Sequence, residues 1–258
     1  EGGDMAIPFA VALPPDLPES FEIHRHDGTE REFKARVRYK FKVELDREGM
    51  LKSDIKKTQL LVVHAARPAQ MHPVHQEGTR NVTFCCCIKK GTATLRATLD
   101  KSVYNPGDEA RVMCEVENMS SVDIPHLRTV LKRRLKLNAR HNHHHLSVTT
   151  IARADYDGIP AMTAQTGEEA RYIPLRLASE GSEALQPETK GKLVQCEYFL
   201  DVQLDVPFSP DIHLHLPVNI VAAEPSMAEW EARLHAPPGW NPALMPLATV
   251  PIDPRYAY

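Results

Sequence analysis

The segment from Gly91 to Ser121 constrains the fold of this chain most strongly, because its apolar residues alternate strictly with polar ones. One face collects Ala93, Leu95, Ala97 and Leu99 before a turn and Ala110, Val112, Cys114 and Val116 after it. Alternation with a period of two predicts strands that bury one face. Pro106 and Gly107 suit a type II turn, because proline presets φ and glycine tolerates the positive φ that follows. The segment therefore predicts an antiparallel hairpin.

Further alternating or apolar stretches extend this prediction over most of the chain. They lie at residues 5–13, 33–45, 58–64, 126–137, 193–207 and 212–220, and the run at 58–64 predicts a strand buried on both faces. Short turns and the lack of helical periodicity predict an all-β sandwich. One helix is predicted from Met227 to Leu234, where Ser226 and Glu229 form a capping box. The proline-rich tail after it is predicted to be extended.

The predicted strands group into portions along the 258 residues, a length that allows two domains with cores of their own. Residues 1–72 form the first β portion, and residues 84–223 form a second, complete β domain. Between them, residues 73–83 are polar and contain Pro73 and Gly78, which indicates an interdomain linker. Residues 224–258 hold the short helix and the tail.

The overall charge excludes some classes of partner. A formal net charge of −3 gives no global attraction to nucleic acid or to anionic membranes, so such contacts would need a local patch. We expect no nucleic-acid partner. No apolar run approaches the roughly 20 residues that a membrane-spanning helix needs.

The ends and the cysteines indicate the compartment. The chain begins with Glu1 and shows no signal pattern, so we expect it to begin inside a longer protein. Its five cysteines include three adjacent ones, which is unlike a secreted disulfide framework and predicts a reducing compartment. With no C-x-x-C pair, a zinc site made of cysteines alone is not expected.

Cys85, Cys86 and Cys87 allow two interpretations. Exposed thiols of lowered pKa could undergo acylation or redox chemistry. Consecutive strand residues point to opposite faces, however, so the three thiols cannot share one metal without a bend. We favour the simpler interpretation, in which one or two of them pack as small apolar side chains.

Two groups of histidines could bind a transition metal through neutral imidazoles. They are His141, His143, His144 and His145 in a predicted loop, and His213 and His215 on a predicted strand. An H-x-H pair on a strand is also part of the metal-binding pattern of cupins, but the glutamate and glycine frame of that pattern is missing here. We favour a polar hairpin tip and a solvated strand face. A metal-dependent β-barrel enzyme of cupin type that uses these histidines is the alternative function.

Lys132, Arg134 and Lys136 line one face of the strand predicted at 126–137, opposite its leucines. Such a row could attract anionic lipid headgroups, or it could be a solvated face with edge lysines. Arg133 falls on the apolar face, either at a bulge or as a buried ion-pair partner.

Catalytic motifs are missing from the sequence. There is no Ser/His/Asp pattern, glycine-rich phosphate loop or nucleophile elbow. We therefore expect a protein that is not an enzyme and has no cofactor or metal.

Several segments, in chain order, resemble the arrestin-domain-containing family (the α-arrestins). They are Ile7–Phe9, Leu17–Glu22, Val37–Val43, Cys85–Cys87, Gly91–Ser121, and Cys196–Val202 followed by Pro207. The resemblance implies an immunoglobulin-like arrestin β-sandwich, with a complete C-domain preceded by part of an N-domain sandwich. The front of the N-domain, with the basic strand that reads receptor phosphates in the visual and β-arrestins, is expected to lie outside this chain. Phosphate sensing is therefore not assigned.

The same resemblance implies a function. It predicts a non-enzymatic scaffold or adaptor in membrane-protein trafficking, through endocytosis or ubiquitin-linked sorting, or in signalling. The expected partners are membrane-protein cargo and trafficking or ubiquitin-ligase machinery, with phosphoinositide contact through Lys132, Arg134 and Lys136. The expected location is the cytoplasm, with peripheral binding at the plasma membrane or endosomes. Direct ligase recruitment by the tail is not expected, because Trp240 stands where P-P-x-Y ligands carry tyrosine.

Overall fold

The computed structural model describes residues 10–26, 32–45, 54–65, 72–84, 88–138, 144–179, 185–222 and 247–248. The chain divides into a compact unit of residues 18–222 and a second unit made of residues 1–17 and 223–258. Regular structure in the described residues is almost entirely β, as the sequence predicted. A 3₁₀ turn at Gly167–Glu169 is the one helical element among them, and none of their helices is long and apolar enough to cross a bilayer.

The strands run, in order, as follows. They are β1 Ala10–Val11, β2 Phe21–His26, β3 Glu32–Val37, β4 Tyr39–Leu45, β5 Ile55–Leu61, β6 Val74–Phe84, β7 Ile88–Leu99, β8 Val103–Tyr104, β9 Glu109–Ser120, β10 Ile124–Asn138, β11 His144–Ile159, β12 Thr163–Gln165, β13 Arg171–Arg176, β14 Thr189–Lys190, β15 Val194–Leu204, β16 Ile212–Ile220 and β17 Leu247–Ala248. In the second unit, β1 pairs in parallel with β17.

Two sheets form the predicted sandwich within residues 18–222. The first sheet has the order β11–β10–β15–β16–β8, with β14 beside β15. The second sheet has the order β12–β9–β7–β6, with β13 also on β9. Their neighbours are antiparallel except for β8 and β16, which run parallel. This arrangement confirms the predicted arrestin-type β-sandwich.

The core lies between the two sheets. The predicted apolar face of β7 and β9 is buried there, with no side chain more than 1 % exposed. Leucines of the first sheet belong to the same core cluster, among them Leu127, Leu131, Leu200 and Leu216. Each fully buried leucine contributes about 1.5–3 kcal/mol to folding. The predicted turn is present, with Gly107 at a φ of 89° and the Asp108 amide donating to the Asn105 carbonyl over 3.1 Å.

β6 occupies residues for which the sequence predicted a linker, 73–83. It pairs with β7 from Val74 opposite Leu99 to Phe84 opposite Ile88. Gly78, which indicated a loop, faces β16 instead, where an added Cβ would lie 2.9 Å from Ile212. The linker assignment is wrong for these residues, because polar side chains on an outward strand face resemble a loop in composition. The division into domains stays a prediction.

The long strand predicted at residues 33–45 is two strands, β3 and β4, separated at Arg38. The separation marks a change of partner, since β3 pairs with β2 and β4 pairs with β5. Arg38 donates to Glu22 on β2, and the Tyr39 hydroxyl donates to the Pro18 carbonyl over 2.6 Å. These side-chain contacts hold the chain where it changes sheets.

β5 does not form the doubly buried strand that its apolar residues predicted. Leu60 and Val62 are 54 % and 70 % exposed. Within the described residues β4 and β5 pair only with each other, so no further strand joins the hairpin. The prediction failed because an apolar run shows what can be buried, not what is available to bury it.

Close backbone contacts define the two ends of the first sheet. Gly158 on β11 lies so close to β10 that an added Cβ would stand 1.7 Å from the Ile124 carbonyl oxygen. At the other end of the sheet, Val103 pairs with Asn219 and Tyr104 with Ile220. The strands β8 and β16 that make this second contact are far apart in sequence. The helix predicted at Met227–Leu234 lies outside the described residues.

Candidate functional site

The outward side of the first sheet carries most of its charged side chains, and we call it the outer polar face. It comprises Arg128, Lys132, Arg134 and Lys136 of β10, Glu197, Asp201, Gln203 and Asp205 beside or on β15, and His213 and His215 of β16. These positions alternate along their strands with core residues such as Leu131, Leu200 and Leu214. Because successive side chains of a strand point to opposite faces, they face away from the core.

Asp201 lies at the centre of this face and is fully buried by its neighbours. Its Oδ2 atom is 2.5 Å from Nζ of Lys132 and 2.7 Å from Nε2 of Gln203. Its Oδ1 atom is 3.1 Å from Nδ1 of His213. Burial raises the pKa of Asp201, but the hydrogen bonds from Lys132, Gln203 and His213 outweigh burial and hold the pKa below its usual value. The carboxylate is therefore ionised at neutral pH.

His215 completes a cluster with Asp201 and His213. It stands directly across the β15–β16 ladder from Asp201, and its Nε2 atom is 3.6 Å from Oδ1 of that residue. Its ring packs against Phe199 with centroids 5.0 Å apart. One nitrogen or oxygen atom from each of the three residues lies within 4.8 Å of the others. Asp201 is thus brought together with two histidines that the sequence had singled out.

Two of the three residues in the predicted basic row are matched by acids of β15, Lys132 by Asp201 and Arg134 by Glu197, the latter at 3.7 Å. Arg128, on the same face but outside that row, lies 3.0 Å from Asp205. Arg134 also lies over the Phe199 ring, 5.1 Å from its centroid. Because these partners cancel charge, the row attracts anions less than its sequence indicates. Lys136 is exposed and has no ion pair among the residues that the structure describes.

Arg133 lies beside a register shift, as the bulge alternative expected, and the ion-pair alternative stays a prediction. The β10–β11 register shifts between Leu131 and Lys132, which places a bulge next to it. Its side chain is buried, and it hydrogen-bonds with Tyr198, its neighbour on β15. The Tyr198 hydroxyl donates to the Gln186 carbonyl over 2.8 Å. Arg133 is therefore held within a buried polar contact.

A second polar cluster joins the segment before β2 to β14. The Thr189 hydroxyl donates to the Glu19 carbonyl over 3.1 Å. Burial raises the pKa of Glu19 to about 7. Burial also raises the pKa of Glu188 to about 7, with a contribution from the Glu19 charge, although Lys190 opposes it. Both carboxyl groups are therefore partly protonated at neutral pH, where an ordinary glutamate is ionised.

The remaining predicted residues fall in different places. Cys85, Cys86 and Cys87 lie outside the described residues, as do His141 and His143, so their roles stay predictions. His144 lies on β11, with Nδ1 2.9 Å from the Asn138 side-chain oxygen, and is separate from the Asp201 cluster. Cys114 and Cys196 are buried free thiols, and burial raises the pKa of each to about 12, which keeps both protonated.

The fold and the outer polar face define a β-sandwich protein of immunoglobulin type with a charged, ion-paired sheet. Residues 89–225 match the family model described as arrestin (or S-antigen), C-terminal domain, which covers more than half of the chain. The chain belongs to the arrestin family. This result confirms the predicted resemblance.

Similar proteins carry related names. The chain is 25 % identical over 226 residues to arrestin domain-containing protein A of Dictyostelium discoideum. This match covers 86 % of the chain and 36 % of that protein. It is 22 % identical to the lateral eye arrestin of Limulus polyphemus and 27 % identical to arrestin domain-containing protein 17 of Caenorhabditis elegans. Those matches cover 70 % and 77 % of the chain and 44 % of each relative. The chain therefore spans less than half the length of these relatives.

Proposed function

We propose that the chain acts as a non-enzymatic adaptor in membrane-protein trafficking, through endocytosis or ubiquitin-linked sorting, or in signalling. The observation that carries this proposal is the match of residues 89–225 to the arrestin C-terminal domain. Membership of the family indicates an adaptor rather than an enzyme. The trafficking role rests on analogy at the level of the fold, because function resides in surface sites.

The outer polar face supports a docking role. Ion pairs at Lys132–Asp201 and Arg128–Asp205 fix side chains on rigid strands, so a partner would meet a preorganised surface and lose little further side-chain entropy in binding. The proposed partners are membrane-protein cargo and trafficking or ubiquitin-ligase machinery. The proposed location is the cytoplasm, at the plasma membrane or endosomes.

A corner of this face has the composition of a membrane-contact surface. Arg134 stands across from Val148 and Lys136 from Leu146 in the β10–β11 ladder, which puts all four side chains on one side of the sheet. Val148 and Leu146 are 52 % and 64 % exposed. Basic side chains near an anionic membrane contribute about 1 kcal/mol each, and exposed apolar side chains could enter the headgroup region. We include anionic-lipid contact at this corner in the proposed function.

The alternative, a metal-dependent β-barrel enzyme, has weaker support. The strands form a two-sheet sandwich, and His213 and His215 lie on its outward side. Enzyme sites are concave and exclude water, whereas these two side chains are 43 % and 53 % exposed. Among the described residues, His215 lines a cleft with Phe199 and Asn219, and that cleft is open to solvent rather than enclosed.

Proximity labelling in cells tests the adaptor proposal. We expect a labelling enzyme fused to the chain to mark plasma-membrane or endosomal proteins and components of the ubiquitin-ligase machinery. The labelling enzyme alone, expressed at the same level, is the control. A set of labelled proteins confined to metabolic enzymes or nuclear factors would overturn the proposal.

A further inference from the structure

We propose that Asp201, His213 and His215 form a binding site for one divalent transition-metal ion of the zinc type. The ligand atoms are Oδ1 of Asp201, Nδ1 of His213 and Nε2 of His215. The site is separate from the adaptor function, and neither proposal depends on the other. It departs from the expectation of no metal that the sequence alone supported.

The distances between the ligand atoms suit a tetrahedral ion. Zinc lies about 2.0–2.1 Å from histidine nitrogen and carboxylate oxygen, so two ligand atoms of a tetrahedral site stand about 3.3 Å apart. Oδ1 of Asp201 is 3.1 Å from the His213 nitrogen and 3.6 Å from the His215 nitrogen. Both imidazoles direct a nitrogen at the same oxygen atom. The two histidine nitrogens lie within 4.8 Å of each other, so they would approach by up to about 1.5 Å when an ion enters among the three atoms.

The other oxygen of Asp201 has partners of its own. Oδ2 accepts from Lys132 and from Gln203, at 2.5 and 2.7 Å. These two donors fix the plane of the carboxylate and turn Oδ1 toward the histidines. Contacts of this kind orient metal ligands and strengthen binding.

The strands hold the ligands in place. His213 and His215 are two residues apart on β16 and so share a face, with Gln203 and Asp201 as their partners on β15. The backbone amide of His215 donates to the Gln76 side chain over 2.9 Å, which ties this part of β16 to β6. Sites on paired strands hold their geometry better than sites on loops.

The chemistry of the ligands selects the class of metal. Two imidazoles and one carboxylate suit zinc, copper(II) or nickel(II), whereas calcium and magnesium prefer sets made of oxygen atoms alone. Both histidines are partly exposed, so an ion can arrive from solvent and a water molecule can take the fourth position.

A hydrogen bond explains only part of this arrangement. Without a metal, Nδ1–H of His213 donates to Asp201 across 3.1 Å. At 3.6 Å the His215 nitrogen is beyond a good hydrogen bond to the same atom. A metal ion uses both nitrogens, and this difference makes the proposal testable.

Titration calorimetry of the chain with zinc chloride provides the first test. We expect one ion per chain, and binding at least about tenfold weaker in His213→Ala/His215→Ala. The control variant His144→Ala/His145→Ala removes two histidines from β11, outside the cluster, and should bind as the unaltered chain does. Absence of binding, or equal affinity of the His213→Ala/His215→Ala variant and the control, would overturn the proposal.

Nuclear magnetic resonance of the unaltered chain, labelled with ¹⁵N at histidine, provides a second test that needs no variant. On adding zinc we expect the large nitrogen shifts at Nδ1 of His213 and Nε2 of His215. Shifts confined to other histidines would show that zinc binds elsewhere and would refute the site.

Discussion

The ammonium group of Lys132 lies 2.5 Å from the carboxylate of Asp201, and that carboxylate is fully buried. Lys132 therefore compensates a buried charge of the sheet as well as contributing to its charged outer surface. In the sequence it looks equivalent to Arg134, two positions on, but Arg134 and its partner Glu197 are both about half exposed. The two ion pairs should differ widely in their contribution to stability.

The change Lys132→Ala should lower the free energy of unfolding by about 2–4 kcal/mol, because it leaves the Asp201 charge buried without its main partner. The matched change Arg134→Ala should cost less than about 1 kcal/mol, since exposed ion pairs contribute little. Urea unfolding of both variants at one pH measures the difference. Equal losses would show that the Asp201 carboxylate does not depend on Lys132.

Glu19 and Glu188 should make stability depend on pH. Both pKa values are about 7 in the folded chain, above the usual value of 4.5. Between about pH 4.5 and pH 7 the folded state therefore holds more protons than the unfolded state. The stabilising contribution of the two protonated carboxyl groups is full below about pH 4.5 and is lost as the pH rises through about 7. We expect Glu19→Gln/Glu188→Gln to be more stable than the unaltered chain at about pH 8, by roughly 1–3 kcal/mol.

Thermal unfolding at several pH values between about 5 and 8 measures this effect. The control is Glu197→Gln, which changes an exposed carboxyl group on β15. If both variants follow the pH profile of the unaltered chain, the two buried carboxyl groups are not responsible.

Gly158→Ala should destabilise the sandwich by more than about 2 kcal/mol, because the new Cβ would collide with the Ile124 carbonyl and force β10 and β11 apart. Gly107→Ala is a useful comparison. It introduces strain at a φ of 89° but meets no atom within 4 Å, so it should cost only about 1 kcal/mol. Chemical denaturation of both variants separates collision from backbone strain. A smaller loss for Gly158→Ala would mean that the strands part easily.

Binding to anionic vesicles should depend on the corner formed by Arg134, Lys136, Leu146 and Val148. We expect Arg134→Ala/Lys136→Ala to lower the affinity for phosphoinositide vesicles by roughly tenfold or more, given about 1 kcal/mol for each basic side chain. Co-sedimentation at low salt measures this affinity. Arg111→Ala/Arg176→Ala removes two exposed charges from the second sheet and serves as the control. Equal binding by both variants would exclude the corner as a membrane contact.

The sequence predicted the sandwich well because alternation reports directly on burial. The apolar face of β7 and β9 was predicted residue by residue, and the turn at Pro106–Gly107 formed as expected. The same rule failed for β5, where apolar residues stayed exposed, and for β6, where polar residues concealed a strand. In both cases the outcome depended on a partner strand, which a local pattern does not contain.

The Asp201 cluster shows a similar limit. Alternation placed His213 and His215 on the outward side of their strand and Asp201 on the outward side of its own. What was missing was the register between β15 and β16, which sets Asp201 opposite His215. Counting back through the turn between the strands would have indicated the pair. The contact of Lys132 with Asp201 lies on a diagonal of a second strand pair and was harder to anticipate.

The parallel pairing of β8 with β16 has a consequence for synthesis on the ribosome. Val103 and Tyr104 emerge early, but their partners Asn219 and Ile220 are among the last residues of the sandwich to be made. β6, β7 and β9 can pair as soon as they emerge, yet their apolar face must wait for the strands of the first sheet that cover it. During that interval the nascent chain exposes an apolar surface of the kind that chaperones bind. We therefore expect a slow, late closing step, as is usual for folds dominated by contacts distant in sequence.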